Sequence, residues 1–216
     1  MLLVRDSMTR EVITLSPQTT AAEALGLCRE KRIRHLPVVE GGRLVGVVSD
    51  RDLRSATPAL GDPGRASALE RIRISEVMTS EVVTASPDDP IDEAANRMRE
   101  RRIGCLPVVE SGELAGIITS SDVMEALVHL VGAHEPGSRL EVVIPDRPGT
   151  LAGVAGIFGI LGINIVSAVA GPRRELSPGE SSEGRVAVFR VDTIDPSEAV
   201  DLLGRAGYSV LWPPQT

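Results

Sequence analysis

Apolar and polar positions alternate in short blocks from the start of the chain. Val12, Ile13 and Thr14 read as a short strand stopped by Ser16-Pro17. Thr20 then caps a helix whose apolar positions Ala21, Ala24, Leu25 and Cys28 recur at helical spacing, so one face packs on a sheet. Two further runs, 36–39 and 44–48, supply that sheet through Glu40-Gly41-Gly42-Arg43, a hairpin-length turn whose glycines tolerate positive φ. A second helix starts within 50–55, giving the order strand, helix, strand, strand, helix. The whole series returns at an offset of 70: MTREVITLSP at 8–17 recurs as MTSEVVTASP at 78–87, and the stretch 29–53 recurs as 99–123. With about 22 of roughly 50 aligned positions identical, two copies of one supersecondary unit are present. The segment 54–73, rich in Pro, Gly, Ala and Ser, joins them and holds the rest of a helix and a loop.

The pattern changes after the second copy. DVMEALVHLVGAH at 122–134 is helical in period, closes on Gly132 and serves as a connector. A strand at 140–144 runs into the tight turn Pro145-Asp146-Arg147-Pro148-Gly149. The 22 positions of 150–171 carry no charge, enough to span a bilayer. Asn164 in the interior and glycines at 153, 156, 159 and 162 argue instead for two elements. These are a helix over 149–161 with Leu151, Val154, Ile157, Phe158 and Leu161 on one face, then a strand over 163–169. A polar loop at 173–184, a strand at 186–191, a helix at 196–205 and a last strand at 208–211 complete a ferredoxin-like βαββαβ order.

Composition removes several function classes. Aromatics are 2% of the chain, leaving little material for base stacking, and the net charge of −7 repels phosphate backbones; KRIRH at 31–35 is the single short basic run. With no helix-turn-helix signal either, nucleic acid is not an expected partner. Cys28 and Cys105 sit among aliphatic residues without metal-ligand spacing and read as buried, reduced thiols. His129 and His134, five apart, are off helical register for a metal pair. No Ser/His/Asp, His/Glu or Cys/His constellation stands out, so catalysis is not expected. The N-terminus MLLVRDSMT turns polar after four residues, which implies a cytoplasmic protein with no membrane anchor.

The repeat carries its own chemistry. Gly46-Val47-Val48-Ser49 followed by Asp52 gathers a hydroxyl, free backbone N–H groups and a carboxylate where a strand meets a helix, and Gly116-Ile117-Ile118-Thr119 with Asp122 does so again. A carboxylate can accept both hydrogen bonds of a ribose diol while N–H and hydroxyl groups face phosphate oxygens. The same residues also suit plain helix caps and answers to the helix dipole. This repeat, with its Leu-Pro-Val-Val strand, resembles the CBS domain, over about the first 130 residues. The resemblance implies a tandem pair with two clefts for AMP, ADP, ATP or S-adenosylmethionine, each built from both copies. One cleft would use Thr14, Ile33, Arg34 and His35 with Thr119 and Asp122. The other would use Thr84, Ile103 and Gly104 with Ser49, Arg51 and Asp52. Arg34-His35 becomes Gly104-Cys105 in the second copy and Arg51 becomes Ser121, so each cleft keeps an arginine able to grip a phosphate. A solvated helix end accounts for the cluster around Arg34 and His35 equally simply.

The Asp-Arg-Pro-Gly turn, the apolar helix and Gly162-Ile163-Asn164-Ile165 together resemble the ACT domain. That implies a small effector, often an amino acid, at a junction of two modules, contacted by Asp146, Arg147, Pro148, Gly149, Asn164 and Ile165; a turn that only promotes dimerisation is the other reading. The expected whole is a mixed α/β (α+β) chain: CBS domain 1 over 1–70, CBS domain 2 over 71–134 and an ACT domain over 138–212. The order is similar to that of acetoin-utilisation AcuB-type proteins. It implies a regulatory homodimer that senses an adenosine nucleotide, requires no cofactor, could take Mg with the nucleotide, and acts on an enzyme or transporter.

Overall fold

The computed structural model describes residues 2–56, 62–174 and 184–214. Contacts divide the chain into two units, Met1–Ala126 and Leu127–Thr216.

The first unit contains both repeats. Copy one runs through α1 (Val4–Ser7), α2 (Ala21–Lys31), β1 (His35–Glu40), β2 (Arg43–Ser49), α3 (Asp50–Ser55) and α4 (Arg65–Arg71). Copy two follows with α5 (Ile74–Val77), α6 (Ile91–Arg101), β3 (Cys105–Glu110), β4 (Glu113–Thr119) and α7 (Ser120–Leu130), within which the boundary between the units falls. Thr20 caps α2 in a reciprocal box: Glu23 N donates to Thr20 Oγ1 at 3.2 Å and Thr20 N to Glu23 Oε2 at 2.8 Å. The β1–β2 and β3–β4 hairpins are antiparallel, with positive φ at Gly41 and Gly42 in one turn and at Ser111 and Gly112 in the other. The expected strand at 12–14 is reduced to one parallel bridge, Leu15 to Val38, because Leu15 exchanges hydrogen bonds only with Pro37 O and Val39 N before the chain turns at Ser16.

Each copy lends its opening segment to the other. Val4 N donates to Asp89 O and Arg5 N to Pro87 O, and Thr9 pairs with Ile117 of β4. Val4 and Met8 therefore lie in one core with Ile91, Ala94, Leu106 and Ile118. In mirror fashion Ile74 N donates to Thr19 O, Ser75 N to Pro17 O and Thr79 pairs with Val47, placing Ile74 among Leu15, Leu25, Leu36 and Val48. Burying Val4 and Ile74 fully stabilises each core by about 1.5–3 kcal/mol per side chain.

The second unit follows β5 (Ser138–Pro145), α8 (Thr150–Ile160), β6 (Ile165–Arg174), β7 (Gly184–Val191), α9 (Ser197–Arg205) and β8 (Ser209–Trp212). Its antiparallel sheet has the order β6-β7-β5-β8, the ferredoxin-like arrangement, and its core joins Leu140, Val142, Phe158, Phe189 and Leu203. Most of the polar loop expected at 173–184 lies outside the described residues; β6 itself runs on to Arg174, past the expected end at 169. Pro172 is tolerated because β6 is an edge strand and the register shifts between Ala170 and Arg173. Leu151, expected on the buried face of α8, is 46% exposed, while Thr150, Val154, Ile157 and Phe158 turn inward. Of the helix glycines, Gly153 alone meets a close neighbour: a methyl there would come within 2.6 Å of the Tyr208 hydroxyl. No helix of the described residues is long and apolar enough to cross a membrane.

Candidate functional site

Where β2 meets α3, the Asp52 carboxylate reaches back. Its Oδ2 accepts from Ser49 N at 2.9 Å and from Ser49 Oγ at 2.6 Å, while Ser49 Oγ accepts from Asp52 N at 3.2 Å. Thr119 and Asp122 repeat this at 2.7, 2.8 and 3.5 Å. Both aspartates are half-buried, and in each one oxygen, Oδ2, does the capping; among the described residues no donor reaches Oδ1. The cap and an oxygen left for a ligand therefore coexist. The free backbone N–H groups expected here are fewer than the sequence suggests. Asp50 N donates to Arg34 O at 2.9 Å and Ser120 N to Gly104 O at 3.0 Å, since the chain entering each hairpin turns its carbonyl onto the helix start.

Residues of the two copies meet across the unit. The His35 imidazole lies against Gly104, where a methyl would sit 2.9 Å from Nε2 and 3.0 Å from Cε1. His35 was expected to serve the cleft of Thr119 and Asp122, yet its ring borders a residue expected in the other cleft; the missing side chain at Gly104 leaves room for it. Burial first, then the Arg34 charge, lower the His35 pKa, against the opposing pull of Asp50 and Asp52. Cys105, which opens β3, is pushed up to about 12 by burial and then by the Asp52 charge. The charge of Asp52 in copy one is thus felt at Cys105, the residue that follows Gly104 in copy two.

The remaining expected residues are spread around these junctions. Ile33 and Ile103 are half-buried and pack on the two cores, while Arg34, Arg51 and Thr14 are exposed. Thr84 is half-buried, and its carbonyl accepts from Arg97 Nη1 at 3.0 Å; the same nitrogen meets Asp89 Oδ2 at 2.6 Å. Arg97 escaped the sequence reading because its counterpart in copy one is Leu27, and a charge inside an amphipathic helix gives no sign of reaching back to a strand. A cavity of about 310 Å³ lies between Arg10, Val12 and Thr14 of copy one and Glu113 and Leu114 of copy two, touching one expected residue, Thr14.

In the second unit a cavity of about 420 Å³ opens at the β5–α8 turn, lined by Asp146, Arg147, Pro148 and Gly149 together with Ala170 and Arg185. Arg185 Nε donates to Asp146 Oδ1 at 3.0 Å and its Nη1 to Gly171 O at 3.3 Å. This arginine, too, was unanticipated; it is the second residue of β7 and pairs with Ile144, a pairing visible only in the folded sheet. Asn164 and Ile165 are not brought to the turn within one chain. Ile165 pairs with Val191, whereas Pro145 pairs with Gly184, so about 23 Å of strand separates them. Asn164 instead joins Asp192, donating N–H to Oδ1 at 2.8 Å.

His129 and His134 are exposed with ring centroids 4.9 Å apart, and no group of three or more potential metal ligands occurs among the described residues. Cys28 and Cys105 are buried free thiols.

Comparison with known proteins identifies the units. The CBS domain model matches residues 4–58 and 74–129, and the ACT domain model matches 138–208. The CBS domain-containing protein YhcV of Bacillus subtilis is 36% identical over 120 residues, 56% of this chain and 81% of that protein. Inosine-5'-monophosphate dehydrogenase of Korarchaeum cryptofilum is 36% identical over 150 residues, 66% of this chain but 29% of the enzyme. Among solved structures, a Vibrio cholerae protein named for acetoin utilization (AcuB) superposes with a TM-score of 0.54 at 37% identity, covering 62% of this chain and 96% of that one. The CBS pair of protein MJ0100, in complex with 5'-methylthioadenosine and S-adenosyl-L-methionine, gives 0.51 at 30% identity, over 60% of this chain and 98% of the other. CBSX2 in complex with AMP gives 0.53 at 28%, over 60% and 99%. Duplicated hairpins with exchanged openings, followed by a separate βαββαβ unit, are thus the form this chain gives to its family: it belongs to the CBS-domain proteins, as a tandem CBS pair with a C-terminal ACT domain.

Proposed function

We propose that this chain is a cytoplasmic regulatory sensor without catalysis of its own, which binds an adenosine-bearing ligand between its CBS copies. The observation that carries the reading is the doubled Ser/Thr–Asp cap, in which each aspartate keeps one carboxylate oxygen for a ribose diol. That the Asp52 charge reaches Cys105 across the copies supports a cleft drawn from both, with Thr84, Ile103 and Gly104 facing Ser49, Arg51 and Asp52. Thr14, Ile33, Arg34 and His35 with Thr119 and Asp122 form its counterpart, and Arg34 and Arg51 supply the phosphate grip. The adenosine ligands of the MJ0100 and CBSX2 structures favour the same class here. Mg would accompany a polyphosphate and is otherwise not needed.

The ACT unit takes a small effector at the Asp146–Gly149 turn, with Asn164 and Ile165 contributed by a second copy, since one chain holds the two sets apart. The protein then acts as a homodimer whose two ligands bias an enzyme or transporter by differential affinity. A thermal-shift titration with AMP, ATP, S-adenosylmethionine and 5'-methylthioadenosine tests the nucleotide half. A ligand at 100 times its Kd adds about 2.7 kcal/mol, and Asp52→Asn or Asp122→Asn should abolish the part due to its own cleft. No shift with any of the four would sink the sensor reading in favour of an interaction subunit with empty clefts.

A further inference from the structure

At the β5–α8 turn most of the acceptors around the cavity are engaged, while several donors are open. Pro145 O already accepts from Arg147 N at 2.9 Å, Arg147 O from Thr150 Oγ1 at 2.9 Å, Gly149 O from Gly153 N at 3.0 Å and Gly171 O from Arg185 at 3.3 Å. Asp146, the carboxylate on this wall, is spanned by Arg185 Nε. On the donor side Arg147 is exposed and has no partner among the described residues. Gly149 offers no side chain to cap α8, so the Leu151 and Ala152 amides meet no acceptor among the described residues. Two arginines against one aspartate give the wall one net positive charge, and Ile144, Pro148, Leu151, Ala152 and Ala170 line the rest with apolar surface.

We infer that this cavity selects a small carboxylate with an apolar tail and no ammonium group, such as a branched 2-oxo acid; the inference rests on the reading of this turn as the effector site. The carboxylate meets Arg147, Arg185 and the two open amides, all donors, and the tail lies on the apolar wall. An ammonium group at C2 would face the charges of Arg147 and Arg185, and Asp146, the carboxylate that could offset them, is already held by Arg185, so an α-amino acid of the same skeleton is the poorer ligand.

Isothermal titration of the full chain with 4-methyl-2-oxopentanoate and with L-leucine, which differ at C2, separates the cases. The oxo acid should bind at least tenfold more tightly than leucine, and Arg147→Ala should weaken it tenfold or more with an unchanged circular dichroism spectrum. Leucine binding equally well or better, and sensitive to Arg147→Ala, would overturn the selectivity and leave the turn as an amino-acid site. Oxo-acid binding that ignores Arg147→Ala would move the site elsewhere and overturn the inference. If neither compound binds, the inference and the effector reading of the turn both fail.

Discussion

Gly116→Ala tests the exchange of opening segments between the two CBS copies. Gly116 is buried in β4 and its φ is not positive, so alanine is permitted by the backbone and the cost is one of contact. The added methyl would sit 2.8 Å from Met8 Sδ, 2.9 Å from Thr9 O and 3.3 Å from Met8 Cγ, where ordinary contact begins at 3.4 Å. Methionine can swing aside, but Thr9 O is fixed by the two 2.9 Å hydrogen bonds that Thr9 exchanges with Ile117. Relief needs a withdrawal of about 0.5 Å, which lengthens both bonds, each worth about 0.5–1.5 kcal/mol. Overpacking adds a cost of about 1–3 kcal/mol, and the stiffer unfolded chain returns about 0.4–1 kcal/mol. The net expectation is a loss of about 1.5–3 kcal/mol. Gly46→Ala, whose closest clash is the flexible Met78 Sδ and whose backbone neighbour Thr79 O is 3.2 Å away, should lose less. Gly156→Ala, in the interior of α8 with nothing within 4 Å, should gain about 0.5–1 kcal/mol. Urea unfolding followed by far-ultraviolet circular dichroism gives the order, and amide exchange at Ile117 reports the bridge directly. A Gly116→Ala midpoint equal to that of Gly156→Ala, with Ile117 still protected, would refute the exchanged arrangement.

The pKa shifts and contacts yield three more expectations. Because burial lowers the His35 pKa below its ordinary 6.5, the unfolded chain binds the proton more readily; stability therefore rises with pH through the window between the two values and falls on acidification below 6.5. His35→Gln should flatten the stability difference between pH 5.5 and 7.5, and an unchanged slope would show that other groups carry it. Cys105, pushed up to about 12, and Cys28, raised by burial, should both resist a thiol reagent at pH 8 and react once guanidinium unfolds the chain; rapid native labelling of either would contradict its buried placement. Gly137→Ala puts a methyl 2.0 Å from Val191 O at a φ of +139°, so the second unit should lose more than about 3 kcal/mol in chemical denaturation, and a loss under about 1 kcal/mol would mean that β5 does not begin there.

What could be read from the sequence was local. Thr20, Ser49 and Thr119 announce their caps through a residue three positions on, and Gly41-Gly42 announces a hairpin, because those interactions close within a few residues. The βαββαβ order was legible for the same reason. Interactions that close over long separations left no such trace. The exchange of Val4 and Ile74 between cores is invisible because each apolar residue would suit its own copy equally well. Arg97 and Arg185 act on partners that only pairing reveals, Thr84 O and Asp146. Gly171-Pro172 has the composition of a turn, yet an edge strand absorbs both. Leu151 shows the converse: its helical spacing suited a core position, but the turn before α8 rotates it toward the cavity wall.

The duplication also explains why the two proposed clefts need not be equivalent. The hydrogen bonds that the repeats share, Ser49 with Asp52 and Thr119 with Asp122, close within four residues and so survive copying unchanged in form. Substitutions after the duplication act across the copies instead. Where copy one has Arg34, copy two has Gly104, and the vacated space is taken by His35 from the other copy. Where copy one has Leu27, copy two has Arg97, which ties Asp89 to the carbonyl of Thr84, a residue proposed for the cleft that uses Asp52. In the proposed assignment that cleft would take its cation from Arg51 at the helix start and the cleft of Asp122 from Arg34 ahead of β1, because Ser121 carries no charge.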